Sequence, residues 1–290
     1  MNNKYRLSSS GFDREKEEDK IEPHIVFFLS VEGNDTEVVY FEGIKFHKNE
    51  LHINAIVNVE VLRRRKKDTQ GAPIKVVELL EEYLRLREHG KENLIDDIPH
   101  DVIEKYGVEF IRTYLESPEK INKNDMRSFN KELTKIGYDI TYRNYLLKYD
   151  NDCDEFAILI DRDRTSKDEE NMREIIRYCR EKKYSCYITN PCFEFWLLLH
   201  VSNIKDEYSD KYDKIAANEK VSNRHTYVSK ELSNKLHHGK SRINFEEKYL
   251  PYIDLAIKRA KEFASNEEDL VTEIGSNIWK LIERMRNYKE

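Results

Sequence analysis

The sequence predicts an α/β protein, a mostly parallel sheet flanked by helices, on three observations. The run Phe156-Ala157-Ile158-Leu159-Ile160 is apolar without a break and then stops at Asp161 and Asp163, as a strand buried on both faces would. The stretch from His24 to Val31 has the same character and stops at Glu32-Gly33. Between and after these runs helical periodicities alternate with strand signals, the order that generates βαβ units. Such sheets bind ligands at the carboxyl ends of their strands, which is where both runs place their acids.

In chain order, residues 1–22 are polar and charged and form an expected flexible segment. The α/β core is expected over 23–92 and 151–202. Its first strand is 24–31 and its first helix opens at Thr36. Gly33 between them lets the backbone turn tightly or approach a ligand. Residues 52–60 form a second strand, followed directly by Arg63-Arg64-Arg65-Lys66-Lys67. Residues 73–89 carry Val76, Val77, Leu80, Tyr83 and Leu84 at helical spacing. From 93 to 150 no strand signal appears. Amphipathic segments at 101–116, 125–136 and 141–149 make this a helical insertion, since a plain loop of that length is not expected. It suits a lid, a substrate-reading arm or a partner surface. The third strand leads to a helix over 167–183, and Tyr184 to Thr189 is the fourth strand. Asn190 then caps an apolar helix whose first residue is Pro191 and which runs to His200. Residues 203–240 are charged and irregular. With closing helices at 243–264 and 275–288 they make a C-terminal region, 203–290, packing on the core.

Composition narrows the partners. Fifty basic against fifty-six acidic residues give a net charge of −6, which argues against bulk polyanion binding but leaves room for a local basic patch. The four cysteines, Cys153, Cys179, Cys186 and Cys192, form no C-x-x-C pair and suit reduced, mostly packed thiols in a cytoplasmic protein. No signal peptide opens the chain and no apolar run approaches a membrane span, so no membrane partner is expected.

The acids carry the chemistry. If the first and third strands are neighbours joined by right-handed crossovers, Glu32, Asp161 and Asp163 converge. Alternation along an extended chain points Asp161 and Asp163 the same way. Carboxylates so placed repel one another unless a cation lies between them, and an oxygen-only donor set suits Mg²⁺ or Mn²⁺. Such an ion can polarise a phosphodiester and neutralise a leaving oxygen. Glu37 sits in a first helical turn, where the dipole favours an acid in any case, so it is a cap or a further metal ligand. Arg63, Arg64, Arg65 and Lys66 form a solvated loop or a nucleic-acid contact on the same edge. Lys240 lies in a Gly-Lys-Ser loop without the rest of a P-loop, which excludes a nucleotide site and leaves at most a phosphate contact.

Val31-Glu32-Gly33 with Thr36-Glu37 and Tyr40-Phe41, Ile160-Asp161-Arg162-Asp163, and Asn190-Pro191-Cys192-Phe193-Glu194-Phe195-Trp196-Leu197-Leu198-Leu199-His200 together resemble the RloB-like family, part of the wider Toprim group. The resemblance covers 24–60 and 155–200, and more loosely the last two helices. It implies a Toprim-like (Rossmann-like) four-stranded sheet, Mg²⁺ use, a prokaryotic antiviral defence setting and an ATPase partner protein. Glu194 matches the family glutamate after N-P-C-F and would complete the site, or is an ordinary acid at a helix start. His200 is expected to be a packed histidine rather than a ligand. Two departures stand out: Toprim topoisomerases carry a further aspartate where this chain has Thr165, and the segment 93–150 is long for a compact member.

The expected function is a metal-dependent nuclease. Glu32, Asp161, Asp163 and Glu194 would be catalytic; Glu32, Glu37, Asp161 and Asp163 would hold metal; Arg63, Arg64, Arg65, Lys66 and Lys240 would meet nucleic acid. RNA, tRNA included, is favoured slightly over DNA by analogy with Toprim-type defence effectors. Two other readings remain: a catalytically idle partner of a defence ATPase, and a primase-like nucleotidyl transferase. A homodimer is left open.

Overall fold

A computed structural model describes residues 25–33, 35–62, 73–96, 98–136, 138–147, 153–163, 168–236 and 244–288. The expected flexible segment 1–22, the basic residues Arg63, Arg64, Arg65 and Lys66, Lys240 and Thr165 lie outside the described residues.

The core begins with β1 (Ile25–Val31), α1 (Thr36–Phe46), β2 (Val57–Val61) and α2 (Pro73–Asp96), the last interrupted at Gly90, where φ is 70°. The insertion follows as α3 (His100–Tyr106), α4 (Val108–Glu116), α5 (Lys123–Ile136) and α6 (Ile140–Leu146). The core resumes with β3 (Glu155–Asp161), α7 (Glu169–Lys182), β4 (Ser185–Asn190) and α8 (Phe193–Val201). The C-terminal region contains α9 (Ile204–Glu207), α10 (Tyr212–Ala217), α11 (Tyr227–Leu236), α12 (Phe245–Lys248), α13 (Ile253–Ala260), α14 (Glu267–Leu270), β5 (Gly275–Ser276) and α15 (Ile278–Arg286).

The sheet runs in the order β2-β1-β3-β4-β5. The pairs β1–β2, β1–β3 and β3–β4 are parallel, and β5 is antiparallel to β4. Alternation divides β1 between two cores, which is why all seven of its residues are buried. Phe27, Leu29 and Val31 face a core that includes Tyr40 and Phe41 of α1, Trp196 of α8 and the C-terminal helices. Val26 and Phe28 face the other, with α2, α7, the insertion and Leu270 of α14. Asp154 ties this side to the strands: it accepts from the Val26 N–H at 2.9 Å and from Arg87 at 2.8 Å.

The insertion is a packed layer. Ile111, Tyr114, Leu115, Phe129, Leu133 and Ile140 belong to the same core as Val26 and Phe28. The Tyr142 hydroxyl donates to Val61 O at 2.9 Å, anchoring α6 at the carboxyl end of β2.

Several expectations need correction. The sheet has five strands, not four; β5 is too short to carry a periodicity, and Gly275 is required there because a Cβ would stand 2.0 Å from Ala264 O. Asn190 does not cap α8. It pairs with Gly275 as the last residue of β4 and its Nδ2 donates to Leu270 O at 2.8 Å, so the strand extends past Thr189 and the helix waits until Phe193. Residues 203–240 are not irregular throughout: α11 buries Val228, Leu232 and Leu236 at four-residue spacing. The expected helix 243–264 is divided near Pro251, which cannot continue a helical hydrogen-bond ladder. The second strand starts at Val57 rather than at residue 52. Among the described residues no helix is long and apolar enough to cross a membrane.

Gly43 of α1 meets the ring of Phe245 in α12, and a Cβ there would lie 2.3 Å from it. Gly43→Ala adds about 1 kcal/mol of helix propensity. The forced shift of the ring should outweigh that gain and destabilise by a net 1–3 kcal/mol or about that. A lowered melting temperature is expected; an unchanged or raised one would show that α12 yields freely.

Candidate active site

Register brings the first acids together. Val31 pairs with Leu159, so β1 and β3 end side by side and residues 129 apart in sequence become neighbours. Glu32 N donates to Leu159 O at 3.1 Å, and the Glu32 Oε2 accepts from the Asp161 N–H at 3.0 Å. Glu37, in the first turn of α1, is buried. Its carboxylate folds back to accept from the Gly33 N–H at 3.0 Å, and a Cβ at residue 33 would fall 2.0 Å from its Oε2. The close approach that Gly33 permits is therefore to Glu37 itself.

Burial is the first cause raising the Glu37 carboxyl to about 7. Hydrogen bonds from its own N–H and that of Gly33 oppose the rise, while the charges of Glu194 and Glu32 add to it. Glu194 lies in the first turn of α8, so it is both a helix-start acid and a neighbour of Glu37. Burial also pushes the Cys192 thiol well up, with Glu194 and Asp161 adding, so that sulfur stays protonated. The structure thus draws Glu32, Glu37, Asp161 and Glu194 to one sheet edge. Glu37, Asp161, Thr189, Tyr187, Phe193 and Ile278 line a small cavity there.

Asp163 is placed differently. β3 ends at Asp161, and Asp163 has φ 25°, on the side of backbone space where Asp and Asn are among the few tolerated side chains. Alternation therefore does not orient Asp163 with Asp161, contrary to the sequence expectation. Backbone hydrogen bonds hold this turn against the end of β4: Arg162 N to Thr189 O and Asp163 N to Pro191 O, both at 2.9 Å. Arg162 is buried and its Nε donates to Val271 O at 2.6 Å.

Among the described residues no group of three or more His, Cys, Asp and Glu side chains is set closely enough to hold a metal ion. Glu32 and Glu37 are turned to different backbone N–H groups, that of Asp161 at the end of β3 and that of Gly33 after β1. In chemistry the donor set still fits magnesium. All of its donors are carboxylate oxygens, Glu37 registers the excess negative charge around it, and Mg²⁺ commonly takes one or two carboxylates while keeping several waters.

Several residues of the resembling motif are structural. The buried His200 donates from Nδ1 to Trp196 O at 3.0 Å, which leaves its Nε2 to accept from the Tyr40 hydroxyl at 3.1 Å, joining α8 to α1. Sequence reasoning did not single out Asn218. Its Nδ2 donates to Cys192 Sγ at 3.4 Å and its Oδ1 accepts from Val228 N, so it braces the residue before α8. Its left-handed φ of 44° had no local sequence signal beyond the asparagine itself.

Compared with known proteins, the chain matches the family model described as RloB-like protein over residues 27–285. No curated protein and no solved structure matches it significantly.

Burial lowers the His200 imidazole to about 3. The unfolded chain binds a proton near 6.5 and the folded chain does not until about 3, so this contribution to stability is full above 6.5 and is lost as pH falls. Denaturant melts between pH 7.5 and 5 should show the wild type losing up to about 1.4 kcal/mol per pH unit below 6.5 relative to His200→Gln. A difference between the two proteins that ignores pH would contradict the neutral, buried assignment.

Proposed function

The chain belongs to the RloB-like family, and on that premise we propose that it is a Mg²⁺-dependent nuclease with a Toprim-like site, acting in prokaryotic antiviral defence beside an ATPase partner. The observation that carries the reading is the contact between the carboxylate of Glu32 and the N–H of Asp161 at the ends of adjacent parallel strands, with Glu37 and Glu194 adding charge beside it. Catalytic acids at the carboxyl edge of a parallel sheet follow the general rule for ligand binding in such folds.

Asp161 and Asp163 would hold magnesium, with Glu37 close by. When bound, the ion supplies positive charge to the attacked phosphoryl oxygens and to the leaving oxygen. Glu32, fixed by the Asp161 N–H, takes the proton of the attacking water or returns one to the leaving oxygen. Glu194 supports that charge balance from the start of α8. The resemblance favours RNA, tRNA included, over DNA as substrate.

A second reading, a catalytically idle partner of the ATPase, draws on one observation: the described carboxylates do not close a three-ligand group. The two readings part in a cleavage assay on total RNA and plasmid DNA. The nuclease reading expects cleavage with Mg²⁺ or Mn²⁺, none with EDTA, and Asp161→Ala no better than the metal-free control. Cleavage by Asp161→Ala equal to wild type would remove the proposed site. No cleavage of either substrate by wild type would favour the idle partner.

A further inference from the structure

We infer that the exposed face of α5 is a track for the phosphate backbone of a nucleic acid strand. The inference rests on the nuclease reading for its biological sense but not for its evidence. Lys123, Arg127, Lys131 and Lys135 recur at every fourth position of this helix, and all four are exposed. Four helical residues rise about 6 Å, so the row extends about 18 Å with its charges evenly spaced. Asn124 and Ser128, also exposed, add neutral hydrogen-bonding groups along it. The direction of this face is fixed by the opposite one. Phe129 and Leu133 are buried in the core, and Phe129 packs edge-on against Tyr106 and Tyr114.

These cations are not balanced as others in the molecule are. Arg173 and Arg180 of α7 face Glu268 and Glu267 of α14. Of the acids on α5, Glu132 is engaged by Lys105 of α3. Among the described residues none of the four cations of the row makes an ion pair. Like charges four residues apart repel one another, and Lys123 opposes the helix dipole at the amino end. The row thus weakens the helix that carries it, and an external polyanion would relieve that repulsion.

The chemistry selects a nucleic acid over an acidic protein. Among the described side chains of α5 no large apolar one is exposed, whereas a stable protein interface needs a buried apolar or aromatic anchor. An even line of cations with hydroxyl and amide groups between them matches a chain of repeating phosphates. The track lies on the layer that α6 ties to the sheet. In the neighbouring α6, Tyr142 bonds to Val61 O and Tyr145 to Glu60, at the end of β2 that shares its edge with Glu32 and Asp161.

The test is fluorescence anisotropy of the full-length protein in EDTA, with labelled single-stranded RNA, single-stranded DNA and duplex DNA over a salt series. Arg127→Gln/Lys131→Gln is compared with wild type and with Arg173→Gln/Arg180→Gln as a control on paired cations. The inference expects the α5 variant to lose affinity at low salt by about tenfold or more and its slope of log K against log salt to flatten by about 1.4 on single strands. Its melting temperature should hold or rise, since repulsion is removed, and the control should keep the wild-type slope. Equal affinity and slope in the α5 variant, or no binding by wild type at low salt, would overturn the inference. Which probe shows the effect names the class of nucleic acid. Binding that depends on α5 without cleavage in metal would sink the nuclease reading alone; cleavage with binding indifferent to α5 would sink this inference alone.

Discussion

The parallel register between β1 and β3 is the constraint on which the rest depends. With Val31 opposite Leu159, the chain leaving β1 and the last residue of β3 arrive at one edge, and the Glu32 carboxylate can accept from Asp161 N–H. Shifting that register by one residue would exchange the faces of every side chain on the strand. It would also set each alternating group of side chains against the core that the other now fills. The apolar packing on both faces therefore fixes where the acids meet.

Around that edge, hydrogen bonds and burial set the electrostatics. Glu37 is buried, folded onto Gly33 N–H and raised to about 7, with Glu194 and Glu32 contributing. Behind it, Tyr40, Trp196 and His200 join α1 to α8 through neutral hydrogen bonds, so the two helices that carry Glu37 and Glu194 keep their relative positions. Residues of one sequence motif thus divide between charge at the edge and packing behind it.

Much of this was legible in the sequence because it rests on local patterns. β1 and β3 announce themselves as unbroken apolar runs, and α7 as an apolar stripe ended by Lys183. The helices of the insertion were visible for the same reason. What escaped depends on contacts distant along the chain. Asn190 has the composition of a cap, but pairing with β5 and a bond to Leu270 O keep it in the strand. The turn at Asp163 ends the alternation that would have aligned it with Asp161. At the candidate site the identities of Glu32, Glu37, Asp161 and Glu194 were readable. That Glu32 and Glu37 turn to the backbone N–H groups of Asp161 and Gly33 was not. The row on α5 was equally present in the letters, but its direction is decided by Phe129 and Leu133.

The account holds that carboxylates carried on different strands and helices act on one ion. Anomalous diffraction from crystals soaked in manganese tests that most directly. The account predicts an ion held by Asp161 and Asp163, with Glu32 and Glu37 beside it, and its loss in Asp161→Asn/Asp163→Asn. Well-ordered carboxylates with no anomalous density among them, or an ion bound elsewhere and indifferent to those substitutions, would contradict it.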